Sequence, residues 1–136
     1  MPVIEPAEIR LVLATLVAAA LIAGGGALVL QQRQEQATIA KVLTGGDPAR
    51  APQLITRYGC GGCHTISGVP GAYGQVAPPL SGLLQRVYIA GGVQNTPDNL
   101  IAWIVDPQQF SPHAAMPPTG IDTRRARDIA AYLYAH

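Results

Sequence analysis

Hydrophobic and polar positions divide the chain into one long apolar segment near its start and a longer region of short amphipathic stretches separated by loops. Residues 11–30 contain no charged side chain. About 20 apolar residues, at a rise of about 1.5 Å each, match the ~30 Å hydrocarbon core of a bilayer. We therefore expect a single transmembrane helix within residues 1–32, followed by a polar helical stalk or linker over residues 33–46.

A cleaved signal peptide is the alternative interpretation of the apolar segment, because small residues that resemble a cleavage site are frequent in it. A signal peptide has a shorter apolar region behind a basic start. Here the start contains Glu5, Glu8 and only one basic residue, Arg10. The pattern therefore favours a membrane anchor.

Helix-start signals recur in the rest of the chain and predict a small helical domain. Asp47 and the proline after it form an N-cap and a first helical residue. Thr96 starts a second helix in the same way, and this helix stops at Asp106 because a proline follows. Asp122 or Thr123 caps a last helix with one apolar face.

The segments between these helices are rich in glycine and proline and predict loops. The longest are residues 65–77 and 110–120, and one short helical turn is expected between residues 79 and 87. No segment alternates apolar and polar residues as a strand would, so the predicted fold class is all-α. Aromatic residues are scarce, so the side chains of so small a domain would form only a thin core.

Composition and charge narrow the range of functions. The 136 residues suit one small domain plus an appendage, and the formal net charge is +1. Nucleic-acid binding requires a basic stripe, so we expect no nucleic-acid partner. The chain has only two cysteines, which excludes a fold held together by several disulfides.

Both cysteines belong to the run Cys60-Gly61-Gly62-Cys63-His64. Such a run is the attachment signature of c-type haem: the thiols become thioethers to the haem vinyl groups, and the histidine binds the iron. A thioredoxin-like pair is an alternative, but it has no use for the histidine and needs a βαβ pattern. A zinc site needs four ligands, and only His113 and His136 remain. We interpret the run as the site of one haem c attached through Cys60 and Cys63. A covalently held haem would add a large apolar group to the thin core of the domain.

The order of these features resembles class I c-type cytochromes, and most closely the haem-c domain of cytochrome c oxidase subunit II. The resemblance covers residues 47–136 and is carried by residues 58–60, 63–66, 77–82, 88–92, 95–100, 103–104, 106–108, 116–117 and 130–133. It implies a small all-α domain wrapped around the haem. The chain lacks the second Cys/His/Met set that the dinuclear copper centre of that subunit requires, so membership in an oxidase is a family-level implication.

The iron is expected to have His64 on one side because of its place in the motif. For the other side the candidates are Met116, His113, His136 or an open position. The resemblance places the sixth ligand at Met116, which is the only methionine besides Met1. Thioether ligation raises the reduction potential relative to bis-histidine ligation. A six-coordinate iron leaves no position for a substrate, so we expect an electron-transfer subunit and not an enzyme.

Four further residues are expected near the haem. The resemblance implies that the carbonyl of Pro78 accepts a hydrogen bond from the ligand histidine, which would fix the orientation of the imidazole. Arg86, Tyr88 and Trp103 are candidates for holding the haem propionates. The alternative is that both aromatic residues only pack in the core and that the arginine is solvated.

Covalent attachment of haem c takes place on the periplasmic side, so we expect a single-pass protein of the bacterial inner membrane with Met1 in the cytoplasm. The leading hypothesis is a membrane-tethered cytochrome that transfers single electrons to a redox partner protein, together with other membrane subunits of a respiratory terminal oxidase. One alternative is the haem c subunit of a membrane-bound dehydrogenase. A haem-based gas sensor is less favoured, because it needs an open or dissociable sixth ligand and Met116 argues against that.

Overall fold

The computed structural model describes residues 6–136, which are largely helical. The α-helices of this part are α1 (Pro6–Thr44), α2 (Ala51–Arg57), α3 (Pro97–Val105) and α4 (Thr123–Ala135). Single 3-10 turns occupy Pro48–Arg50, Cys60–Gly62, Leu83–Gln85 and Pro107–Gln109. Two short antiparallel strands, β1 (Tyr88–Ile89) and β2 (Val93–Gln94), form the one sheet among the described residues. The expectation of a mainly helical chain is confirmed, and strands of two residues are too short to produce a visible alternation.

Helix α1 contains the expected membrane-spanning segment. It is 39 residues long, and its most apolar stretch of 18 residues has a mean hydropathy of 2.3. None of that stretch is buried against the rest of the chain. The helix is therefore long and apolar enough to cross a bilayer. The expectations for Met1 and Glu5 lie outside the described residues.

The last turns of α1 belong to the folded domain. The chain divides into two compact units, with the boundary between Glu35 and Gln36. Ala40 is fully buried and Thr44 is 2% exposed. The segment interpreted from the sequence as a polar stalk therefore packs into the second unit from Gln36 onward. The helix then ends at Thr44, where Gly45 follows with a φ of 67°, the left-handed conformation that favours glycine at this position.

The turn after α1 runs directly against α4. A β-carbon added to Gly46 would lie 2.0 Å from the carbonyl oxygen of Arg127, so only a glycine fits between the two backbones. Next to it, the buried carboxylate of Asp128 accepts a hydrogen bond from the amide of Asp47 over 2.7 Å. Arg50 lies 3.8 Å from the same carboxylate. These contacts fasten the start of the domain to its last helix.

The predicted helix starts are present, with one change. The hydroxyl of Thr96 accepts from the amide of Asn99 at the start of α3, and a carboxylate oxygen of Asp122 accepts from the amide of Arg125 at the start of α4. Asp47 also acts as a cap, but the turn that it caps is the 3-10 turn Pro48–Arg50. Helix α2 begins only after that turn.

Helix α4 forms the centre of the second unit and packs against both α2 and α3. Residues 128–135 of this helix are all buried. Its apolar side chains meet Ile55 of α2 and Ile101 of α3 in one hydrophobic core. Two residues of α4 in this core, Ile129 and Leu133, also lie in the wall of a cavity, so one side of the core faces that cavity.

Candidate functional site

The Cys-x-x-Cys-His run forms a single tight turn directly after α2. Gly59 has a φ of 71°, which a residue with a β-carbon rarely adopts, and it redirects the chain from the helix into the 3-10 turn Cys60–Gly62. The amides of Cys63 and His64 both donate to the carbonyl of Cys60, over 3.3 and 3.0 Å. The turn thereby carries both thiols and the imidazole on one short rigid segment.

The following loop folds back over this turn and fixes it from the other side. The amide of Gly74 donates to the carbonyl of Gly61 over 3.0 Å, and the amide of Ala77 donates to the carbonyl of Cys63 over 3.0 Å. The approach is close: a β-carbon on Gly74 would lie 2.5 Å from the carbonyl carbons of Gly62 and Cys63. Sequence reasoning assigned Gly74 only to a loop, since nothing local indicates which backbone it approaches.

A cavity of about 530 Å³ lies beside the turn, entirely within the second unit. Its wall is mostly apolar and includes side chains of α3, α4 and the loops between them. Among the described residues of the wall, Arg86 is the only one with a charged side chain. The residues predicted from the sequence that lie in the wall are Cys60, Cys63, His64, Pro78, Arg86, Trp103 and Met116.

The other candidate residues lie elsewhere. Tyr88 is 63% exposed on β1 and is outside the cavity wall, although its neighbour Ile89 belongs to it. His113 is exposed and outside the wall, three residues before Met116, which is in the wall. The ring of His136 stacks on Tyr132 with 4.0 Å between centroids. Of the alternatives considered for the sixth ligand, only Met116 therefore lines the cavity.

The imidazole of His64 has a defined orientation. Its Nδ1 lies 2.7 Å from the carbonyl oxygen of Pro78, the pairing that the resemblance implied. A carbonyl oxygen can only accept, so Nδ1 carries the hydrogen, and in a neutral imidazole the lone pair then lies on Nε2. A histidine in this state is a neutral ligand whose basicity is increased by the hydrogen bond on its other nitrogen.

Arg86 holds the loop that contains Pro78. Its Nη2 donates to the carbonyl of Pro79 over 2.7 Å and to that of Ser81 over 3.0 Å. The structure thus gives this residue a contact that the sequence did not suggest, since it was considered only as a partner for propionates. By fixing the carbonyls after Pro78, the guanidinium stabilises the position of the group that orients His64.

Asn95 connects the segment around Arg86 to the last helix, and sequence reasoning missed it. Its Nδ2 donates to the carbonyls of Leu83 and Arg86 over 2.7 and 2.8 Å, and its Oδ1 accepts from the hydroxyl of Tyr134 over 2.8 Å. These bonds join residues that are 12, 9 and 39 positions apart. A lone asparagine before a helix start gives no signal for them.

The two thiols lie in different environments. Cys63 is exposed, whereas Cys60 is partly buried against the hydrophobic core. Burial raises the pKa of the Cys60 thiol, and the nearby Cys63 raises it further. Cys60 is therefore held as a neutral thiol at neutral pH. In residues 6–136 no group of three or more His, Cys, Asp or Glu side chains is placed to hold a bare metal ion.

Comparison with known proteins gives a partial match. The chain is 37% identical over 65 residues to cytochrome c oxidase subunit 2 of Alkalihalophilus pseudofirmus. The match covers 48% of this chain and 18% of that protein, so the chain corresponds to less than a fifth of its relative. No family model matches the chain, and no solved structure does. The chain is thus a distant, partial homologue of a cytochrome c oxidase subunit 2.

Proposed function

We propose that this protein is a membrane-tethered monohaem c-type cytochrome that transfers single electrons at the periplasmic face of the bacterial inner membrane, as a subunit of a respiratory terminal oxidase complex. The observation that carries the proposal is the convergence of Cys60, Cys63, His64 and Met116 on one apolar cavity. The apolar helix α1 and the partial similarity to an oxidase subunit support the membrane and respiratory parts.

The cavity fits a haem in size and in chemistry. Its volume of about 530 Å³ lies within the range of roughly 300–1,000 Å³ found for ligand and cofactor sites. An apolar wall suits the faces of a porphyrin, and two thiols on one turn suit covalent attachment to its edge. Imidazole and thioether side chains form the ligand pair of high-potential cytochromes c.

Each residue of the site has a defined part in this proposal. His64 would bind the iron through Nε2 and Met116 through Sδ, while Cys60 and Cys63 would carry the thioether bonds. The bound haem supplies a one-electron couple between ferrous and ferric iron. The carbonyl of Pro78 would keep the proton of His64 on Nδ1, and the mostly apolar wall would give a bound haem surroundings of low polarity, which favour the less charged ferrous form.

Carbon monoxide binding tests the closed, electron-transferring site. With His64 and Met116 both bound, ferrous protein at neutral pH should be low-spin and should not bind carbon monoxide. Replacing the methionine, Met116→Ala, should open the iron, lower the potential and create a binding site for the gas. Stoichiometric binding of carbon monoxide by the unmodified protein would contradict the proposal and would favour a gas sensor.

Purification from membranes in mild detergent tests the assignment to an oxidase. We expect a haem–copper oxidase subunit to co-purify with the chain, because the partial homologue is an oxidase subunit. Co-purification of a quinoprotein or flavoprotein dehydrogenase would instead place the same electron-transfer site in a dehydrogenase complex. Haem staining of each fraction serves as the control for loading.

A further inference from the structure

The segment that carries Met116 has very few hydrogen bonds of its own. Pro117 and Pro118 have no amide hydrogen, and no backbone–backbone hydrogen bond of the described chain involves residues 115–118. The preceding turn is better held, since the amide of Ala114 donates to the carbonyl of Ser111 over 2.9 Å. The position of Met116 must therefore be fixed by something outside its own backbone.

One side chain supplies that contact. Nε2 of Gln108 donates to the carbonyl of Met116 over 2.9 Å and lies 3.4 Å from the carbonyl of Ala114. In the described chain no other hydrogen bond reaches residues 115–118. Gln108 is itself held firmly: its backbone amide donates to a carboxylate oxygen of Asp106 over 3.2 Å, in the turn that follows α3.

The other end of the Gln108 amide indicates why the residue is polar. Its Oε1 is buried and has no hydrogen-bond partner among the described residues. Rotating the amide by half a turn would place Oε1 against two carbonyl oxygens, so the observed orientation is the favourable one. A buried acceptor without a partner is destabilising. An apolar side chain would avoid this penalty, so the favourable contribution of Gln108 is the hydrogen bond that its Nε2 donates to the carbonyl of Met116.

We infer that Gln108 is the positioning residue for Met116, which it holds by its backbone carbonyl so that the thioether stays directed into the cavity. The inference rests on the proposed function, in which this sulfur binds the iron. A thioether is a weak ligand on a loop with little structure of its own, and ordering such a loop has an entropic cost. A contact that orders the loop beforehand shifts the equilibrium toward the ligated state.

Displacement of the methionine by imidazole measures this effect on the haem-loaded, full-length protein. Gln108→Leu keeps a side chain of similar size and removes the donor. Mutating a residue that orients a metal ligand typically changes the affinity for the metal by about 10- to 100-fold. Imidazole competes with the methionine for the iron, so it should bind the ferric variant at least about tenfold more tightly than the unmodified protein. The long-wavelength absorbance of the sulfur–iron bond should weaken, and the reduction potential should fall.

Gln109 provides a matched control in the same turn. Its side chain is exposed, so Gln109→Leu makes the same chemical change without touching the methionine loop. Imidazole affinity in this control should stay within about twofold of the unmodified protein, as expected for a surface substitution. Equal affinities in the Gln108→Leu and Gln109→Leu variants would overturn the inference.

A second variant covers the case in which Gln108→Leu does not load haem. Gln108→Glu has nearly the same shape, and its carboxylate accepts hydrogen bonds but donates none, so it should shift imidazole binding in the same direction. Failure of both variants to load haem would also overturn the inference, because Gln108 would then support the fold and not the ligand.

The unmodified protein separates this inference from the proposed function. If it shows no sulfur–iron absorbance and binds carbon monoxide, the proposed function fails. If it shows methionine ligation that the Gln108 variants leave unchanged, only the positioning role fails.

Discussion

The two glycines between the cysteines provide a sharp test of how the loop that contains Ala72 holds the Cys-x-x-Cys-His turn. A β-carbon on Gly61 would lie 2.7 Å from Cα and 2.8 Å from Cβ of Ala72, whereas one on Gly62 meets nothing within 4 Å. Neither residue lies in the cavity wall, and both have ordinary negative φ values. The pair of substitutions Gly61→Ala and Gly62→Ala therefore differs in the close contact alone.

The size of the effect follows from how firmly Ala72 is held. Carbon atoms pack comfortably from about 3.5 Å, so the turn and the loop would have to separate by most of an ångström. Ala72 is 1% exposed, and its amide and carbonyl bond to Val69 and Ile66 over 3.2 and 3.0 Å. Overpacking of this kind costs about 1–3 kcal/mol. Gly62→Ala should instead be neutral or stabilising by up to about 1 kcal/mol, because alanine restricts the unfolded chain.

The assay is urea unfolding of the haem-loaded protein in detergent, followed by haem absorbance, with haem stain per unit protein as a second measurement. Gly61→Ala should lower the unfolding free energy by about 1–3 kcal/mol and reduce haem loading, while Gly62→Ala should do neither. If both variants load and unfold alike, the packing of the loop on the turn does not matter for attachment, and the reasoning is refuted.

Three further predictions concern α4 and the cysteines. Asp128→Ala should lower the unfolding free energy by about 1.5–3 kcal/mol, since it leaves the partly buried amide of Asp47 without its charged acceptor; an equal loss in Arg50→Ala would contradict this. The hydrogen bond from the backbone amide at the start of α4, aided by nearby arginines, lowers the pKa of Asp122. The ionised carboxylate therefore stabilises the fold above its unfolded pKa of about 3.9, and this stabilisation is lost as the pH falls through the lower pKa of the folded state. Asparagine does not titrate, so the unfolding free energy of Asp122→Asn should lack this part of the decrease at acid pH. Cys60→Ser should leave one thioether at most, so haem stain of denatured protein should fall, whereas haem extracted from the unmodified protein by acid acetone would contradict covalent attachment.

Local features of the sequence predicted well what depends on near neighbours. Thr96 and Asp122 cap helices within three residues of themselves, and the cysteine motif is a turn of five residues. Such contacts are set by residue type and spacing, so they can be recognised without knowledge of the fold.

Contacts between distant segments could not be predicted from the sequence. Asp128 and Asp47 are 81 residues apart, and no pattern around either residue indicates the other. The end of α1 is an intermediate case: Ala37, Ala40 and Thr44 share one side of the helix at the spacing of a packed face, and all three contact the domain. These residues are small, and the larger apolar residues of the segment (Ile39, Val42 and Leu43) are exposed, so the sequence pattern did not mark this side of the helix as a packed face and the segment was interpreted as a stalk.

Three side chains whose contacts the sequence did not indicate share one physical character. Arg86, Asn95 and Gln108 each direct a nitrogen with two hydrogens toward two backbone carbonyls of an irregular loop. Loops without helix or strand must satisfy their carbonyls in some other way, and a forked donor satisfies two at once. Two of these donors hold the segments that contain Pro78 and Met116, the residues that would orient one proposed iron ligand and supply the other. For the proposed electron-transfer role this arrangement would be favourable, because ligands fixed by the surrounding protein need little rearrangement between oxidation states.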